Sequence, residues 1–120
     1  MPIGRRAAAR LRLAIPARFV SIYSTQNCIL LDISRTGARL AVASPLAEHQ
    51  SGIVTFAQFE LFGSIVRADH GADGGANALA FDDPITEAYV LDVRRFAEGF
   101  ELHERHALRD LVRRWVAGEP

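Results

Sequence analysis

The 120-residue chain contains no lysine: all fourteen of its basic side chains are arginine. Cysteine occurs once, at Cys28, which excludes an internal disulfide and fits a reducing cytoplasm. Cys28 lies in an apolar run and reads as an inert packing residue. Net charge is absent too, with fourteen acidic side chains against the fourteen arginines, so the whole molecule is no electrostatic trap for nucleic acid or anionic membrane. No apolar window approaches the roughly 20 residues of a membrane span. Arg10 and Arg12 interrupt the N-terminal segment before it reaches the length of a signal peptide. A phosphate loop of the Walker type is missing. No Ser-His-Asp, Cys-His or metal-ligand arrangement can be placed with any spacing logic, so catalysis is not expected. His103 and His106 stand three apart without a third ligand nearby and read as surface histidines.

What is present is ordinary globular composition, 49% hydrophobic, at a length that suits one domain. The arginines are unevenly spread: Arg5, Arg6, Arg10, Arg12 and Arg18 all precede the first acidic residue, Asp32. Guanidinium forks suit bidentate recognition of phosphate or guanine. From Leu11 the chain alternates, with Leu11, Leu13, Ile15, Ala17 and Phe19 on one face of a strand and Arg10, Arg12 and Arg18 on the other. Pro16 calls for an edge position or a bulge in that strand. "STQN" reads as a turn, "CILLDIS" as a second strand, "GARLAVA" as a third, "IVTFAQFELFG" as a fourth, "SIVRAD" as a fifth and "NALAFDD" as a sixth, the last two joined by a glycine-rich hairpin. Short strands without intervening helices favour an antiparallel barrel or sandwich. After Pro84 the pattern turns helical: Thr86 caps a helix starting near Glu87, Gly99 breaks it, and Leu108, Leu111, Val112, Trp115 and Val116 follow at helical spacing, a stripe that reads as the face docking on the barrel. The chain is thus expected to be one domain over 1–120, with a flexible leader over 1–9, a β-unit over 10–84 and a helical tail over 85–120.

The chemistry concentrates in "LDISRTGARL". Residues two apart on a strand share a face, so with Ile33 in the core, Asp32 and Ser34 face outward side by side. Gly37 supplies a backbone able to take positive φ and leaves open space. A carboxylate there accepts two N–H bonds from a guanine edge, and a hydroxyl donates or accepts beside it. Arg6 and Arg10, four apart, can swing over the same ligand, pairing with guanine or with phosphate. Arg39 and Arg67 read as outward strand residues.

These two clusters, Arg6-x-x-x-Arg10 and Asp32-x-Ser34-x-x-Gly37, in that order and with six strands, resemble the PilZ domain family over about residues 5 to 84. The resemblance implies a mainly β fold, a six-stranded antiparallel β-barrel with a C-terminal α-helical tail. It implies a bacterial, cytoplasmic receptor for the second messenger cyclic di-GMP, without enzymatic activity, metal or cofactor. Arg6 and Arg10 would grip guanine and phosphate, Asp32 and Ser34 would read a guanine edge, and Gly37 would permit the turn. Arg5 adds a third guanidinium. Ligand-coupled ordering of Arg5, Arg6 and Arg10 would change the surface seen by a downstream protein partner. The family often has a glycine in its sixth strand where this chain has "ANALAF". Two rivals remain open: a degenerate member that binds a protein and no nucleotide, and an OB-like single-stranded nucleic-acid barrel. The second needs outward aromatics, for which only Phe62 and Tyr23 are candidates.

Overall fold

Strand pairing follows from where the apolar residues alternate. The structure, a computed structural model, describes the backbone of residues 11–72 and 74–116, and side chains over 13–72 and 74–104. The leader expected over 1–9 and Trp115's side chain lie outside the described residues. Six strands, β1 (Leu11–Val20), β2 (Thr25–Ile33), β3 (Gly37–Val42), β4 (Ser51–Phe56), β5 (Phe59–Gly71) and β6 (Gly74–Phe81), precede one helix, α1 (Glu87–Val116). They close into a barrel in the order β1-β2-β3-β6-β5-β4, with every pair antiparallel and β4 returning to β1. Closure removes the free sheet edges that an open six-strand meander would expose. Inward residues from each strand, among them Phe19, Leu30, Leu40, Val54 and Ile65, are fully buried. The expected alternation of β1 holds: Ile15, Ala17 and Phe19 are buried, and Arg18 is exposed.

Pro16 lies where its missing N–H does least harm. β4 pairs with β1 only at Arg18, Phe19 and Val20, so Pro16 is paired on the β2 side alone, just past a register shift between Arg12 and Ile15. α1 covers the stretch of β1 that β4 leaves open, where Leu13 and Ile15 face Ala97 and Phe100 across a cavity of about 210 Å³.

The strand boundaries differ from expectation in two places. "STQN" is not the first turn; the reversal falls at residues 21–24, where Ser21 N–H donates to the Ser24 carbonyl at 2.9 Å, and Thr25 already belongs to β2. "IVTFAQFELFG" is not one strand but two, reversed at Ala57 and Gln58, with Ala57 at φ 50°. No glycine, proline or asparagine marks that turn. The apolar run continues through it because Phe56 and Phe59 on either side are both buried, their rings 5.1 Å apart. "SIVRAD" then becomes the second half of β5, which keeps the count at six.

The helix begins as expected, with Thr86 Oγ1 accepting from Tyr89 N–H at 3.0 Å. It does not break at Gly99, which lies inside α1. A glycine in a helix costs only about 1 kcal/mol relative to alanine. The turns around it are held by packing, because Phe96 contacts Phe56, Phe59 and Phe100 at centroid distances of 5.9, 5.8 and 6.1 Å. Tyr89 fixes the near end, its Oη donating to the Glu60 carbonyl and accepting from the Glu60 N–H, both at 3.1 Å.

A polar side chain is sealed inside at β6. Asn77 in β6 is 2% exposed; its Oδ1 accepts from Leu46 N–H at 2.8 Å, and its Nδ2 donates to the carbonyls of Leu46 at 3.0 Å and Arg67 at 3.1 Å. It satisfies a buried loop backbone that no strand pairs. Asn77→Ala strands those groups and is expected to destabilise the barrel by about 2–4 kcal/mol, read from the urea midpoint at unchanged slope.

Cys28 is the inert packing residue the sequence implies: it is buried, and loss of hydration pushes its thiol up to about 11. At pH 8 about one thiol in a thousand is then ionised, so a disulfide reagent should label native protein far more slowly than urea-unfolded protein. The native state favours the neutral thiol. That contribution is complete below the ordinary value of 9.0 and is lost as pH rises from there towards 11. A Cys28→Ala variant should therefore show a shallower loss of stability across that window.

Candidate functional site

The motif around Asp32 sits where β2 turns into β3, and a β-bulge decides its orientation. The β2–β3 register pairs Leu30 with Leu40 but Asp32 with Arg39, shifting by one residue at Leu31. The insertion breaks the period of two, so Asp32, Ile33 and Ser34 are all buried, at 6%, 0% and 2% exposure. The expected outward shelf is therefore absent. Asp32 sits just inside the surface, its Oδ2 3.6 Å from an Arg39 Nη1 whose side chain is half exposed.

Ser34 is committed to the turn. Its N–H donates to the Gly37 carbonyl at 2.9 Å, and its hydroxyl lies 3.4 Å from that same oxygen. Ser34 Oγ also accepts from Thr36 N–H at 3.3 Å. This is the local backbone role that small hydroxyl residues take in tight turns. Gly37 is needed for a reason other than the expected one. Gly74 is the described glycine with positive φ, whereas a Cβ on Gly37 would stand 2.5 Å from the Leu79 carbonyl oxygen. Gly37 leaves no open space; it lets β3 start flush against β6.

The turn is also tied to the helix. Phe81 N–H donates to the Thr36 carbonyl at 2.9 Å. Arg35 grips Ile85 twice: its carbonyl accepts from Ile85 N–H at 2.8 Å, and its Nε donates to the Ile85 carbonyl at 3.0 Å. Ile85 immediately precedes the Thr86 cap of α1. A displacement of the motif turn therefore acts directly on the start of the helix.

Arg5, Arg6 and Arg10 lie outside the described residues. Their chain joins the barrel beside the motif, since Leu11 and Arg12 are registered opposite Ile33 and Asp32. Sequence reasoning missed a row across the barrel wall. Register places Asp32 level with Arg39, Arg39 level with Ala78, and Ala78 level with Arg67. Two exposed arginines thus flank one of the smallest side chains of β6, and Arg67 is itself held by Asp69 at 3.1 Å. Only the bulges align these residues, and a bulge leaves little trace in sequence. Among the described residues no cluster of three His, Cys, Asp or Glu is gathered for a metal ion. His103 is exposed, as expected.

The site thus stands on a closed six-stranded antiparallel barrel, with Asp32 at the end of β2 and Ser34 in the turn that leads into β3. The PilZ domain family profile matches residues 4–99, and the chain belongs to that family. The structure of YcgR from Escherichia coli in complex with c-di-GMP matches at a TM-score of 0.57 and 17% identity over 89% of this chain, which spans half of that one (50%). The PilZ domain of YcgR from Escherichia coli with c-di-GMP matches at a TM-score of 0.54 and 17% identity, over 88% of this chain and 98% of that one. Both likenesses establish the barrel fold. A search of curated proteins gave no match.

The two glycines separate cleanly by substitution. Gly37→Ala forces β3 and β6 apart and should cost about 1–3 kcal/mol. Gly99→Ala meets nothing within 4 Å and should stabilise by up to about 1 kcal/mol. Thermal melts of the two variants beside the parent chain check both signs.

Proposed function

We propose that the protein is a receptor for cyclic di-GMP, the ligand named for both similar structures. The observation that carries this reading is the join of β1 to the motif. The strand that follows Arg6-x-x-x-Arg10 starts with Leu11 opposite Ile33 and Arg12 opposite Asp32, which supports a reading in which both halves of the family signature serve one corner of the barrel. In this reading Arg6 and Arg10 fork onto guanine and phosphate, with Arg5 beside them. Asp32 accepts from the guanine N1 and N2 edge, Ser34 and Gly37 hold the turn that presents it, and Arg39 adds a cation at the rim. Signalling is the ordering of the arginine leader over the bound nucleotide, passed through the Arg35–Ile85 contacts into α1. Each fixed residue costs roughly 1–2 kcal/mol of backbone entropy, which guanidinium–phosphate pairs offset over the short stretch from Arg5 to Arg10. A protein partner downstream would read the changed surface.

Calorimetric titration tests this reading. Cyclic di-GMP should bind the parent chain, a short single-stranded oligonucleotide should not, and Arg10→Ala should lose at least about 1.5–3 kcal/mol of binding while Arg18→Ala changes little. Asp32→Ala should lose about 1 kcal/mol or more towards cyclic di-GMP and much less towards cyclic di-AMP, whose adenine lacks the paired donors. Absence of heat with cyclic di-GMP would return the chain to the protein-binding alternative.

A further inference from the structure

Two bulges work as a pair across the outer wall of the barrel. In β5 the register shifts between Ile65 and Arg67, so Val66 is the extra residue. Ile65 is fully buried, and on an unbroken strand Arg67 would share its inward face. The bulge turns Arg67 outward, and Asp69 follows two residues on along the same exposed face. The backbone there is fixed from inside, where Asn77 Nδ2 donates to the Arg67 carbonyl at 3.1 Å. In β2 the bulge at Leu31 likewise sets Asp32 level with Arg39.

Each bulge thereby makes an arginine–aspartate couple. Asp32 Oδ2 stands 3.6 Å from Arg39 Nη1 on one side of β6, and Asp69 Oδ2 stands 3.1 Å from Arg67 Nε on the other. Between the couples β6 presents only Ala78, level with both arginines. The flanking strands β3 and β5 lie two strand spacings apart, about 10 Å. Asp69 engages Arg67 at Nε, and among the described residues no other acceptor holds its Nη pair. An exposed pair of this kind adds little to stability, whereas bulges recur where a side chain is aimed at a ligand.

An arginine beside a carboxylate is the chemical complement of guanine. The base presents two acceptors, N7 and O6, next to two donors, N1–H and the N2 amine. A guanidinium fork supplies two donors, and the adjacent carboxylate supplies two acceptors. Adenine places an amine where guanine has O6 and an N1 acceptor where guanine has N1–H, so donor meets donor and acceptor meets acceptor. Cyclic di-GMP carries two guanines on one macrocycle, and this wall carries two couples.

We propose that Arg67 and Asp69 read the second guanine of the cyclic dinucleotide whose first guanine is read at Asp32 and Arg39, an inference that rests on the receptor reading above.

Calorimetric titration of the whole chain with cyclic di-GMP, and with the mixed cyclic dinucleotide of one guanine and one adenine, tests the proposal. The parent chain should prefer cyclic di-GMP by about tenfold or more. Asp69→Ala should weaken cyclic di-GMP at least about fivefold and the mixed dinucleotide by no more than about twofold, so the preference collapses. Charge alone predicts the opposite sign, because removing a carboxylate beside a dianionic ligand tightens both dinucleotides. Arg67→Lys keeps the charge but loses the fork, and should also weaken cyclic di-GMP at least about fivefold. Glu60→Ala, which removes another exposed carboxylate of β5, should weaken neither. No preference in the parent chain, equal effects of Asp69→Ala on the two dinucleotides, or unchanged affinity in Arg67→Lys would overturn the proposal and leave the receptor reading standing. A parent chain that binds neither dinucleotide would overturn both.

Discussion

The close approach of β3 to β6 at Gly37 is the constraint on which the rest of the corner depends. With no Cβ there, the strand starts against the Leu79 carbonyl. The turn before it can then lie flat enough for Thr36 to bond Phe81 and for Arg35 to hold Ile85. Ser34 closes the turn from within. The bulge at Leu31 brings Asp32 to the inner margin of the wall, where Arg39 faces it. A carboxylate so placed loses much of its hydration, and a charged donor set restores what burial removes. The same short segment thus shapes the candidate site and anchors the N-terminus of α1.

Much of the barrel is legible in the sequence because it rests on a period of two. The alternation of Leu13, Ile15, Ala17 and Phe19 foretells which face of β1 is inside, and Thr86 foretells the helix start. Bulges and glycine-free turns defeat the same reasoning. Ala57 and Gln58 carry no turn chemistry, so β4 and β5 read as one strand. Leu31 carries no sign of being unpaired, so Asp32 and Ser34 read as an outward pair when both are buried. Gly99 reads as a breaker because propensity is local, whereas the ring of Phe96 that holds the preceding turn is fixed by tertiary contact with Phe56 and Phe59. At Gly37 the sequence shows that a glycine stands there but not why: a steric approach between strands distant in sequence is invisible until β6 is in place.

Asn77 is the buried amide of β6, and it pins the loop at Leu46 and the bulged backbone at Arg67. The bulge between Ile65 and Arg67 is what brings Arg67 level with Ala78. The polar core and the arginine row on the outer wall are therefore connected through a single side chain.

The central claim is that one turn joins the proposed ligand corner to the helix. Amide chemical-shift mapping of nitrogen-15-labelled protein during titration with cyclic di-GMP tests it most directly. The largest shifts are predicted at Asp32, Arg35, Thr36 and Gly37, continuing through Ile85 to Tyr89, with the turn over residues 21–24 at the far end of β1 and β2 nearly still. Saturable binding that shifts the strand corner and leaves Ile85 and the first turn of α1 unmoved would contradict the coupling.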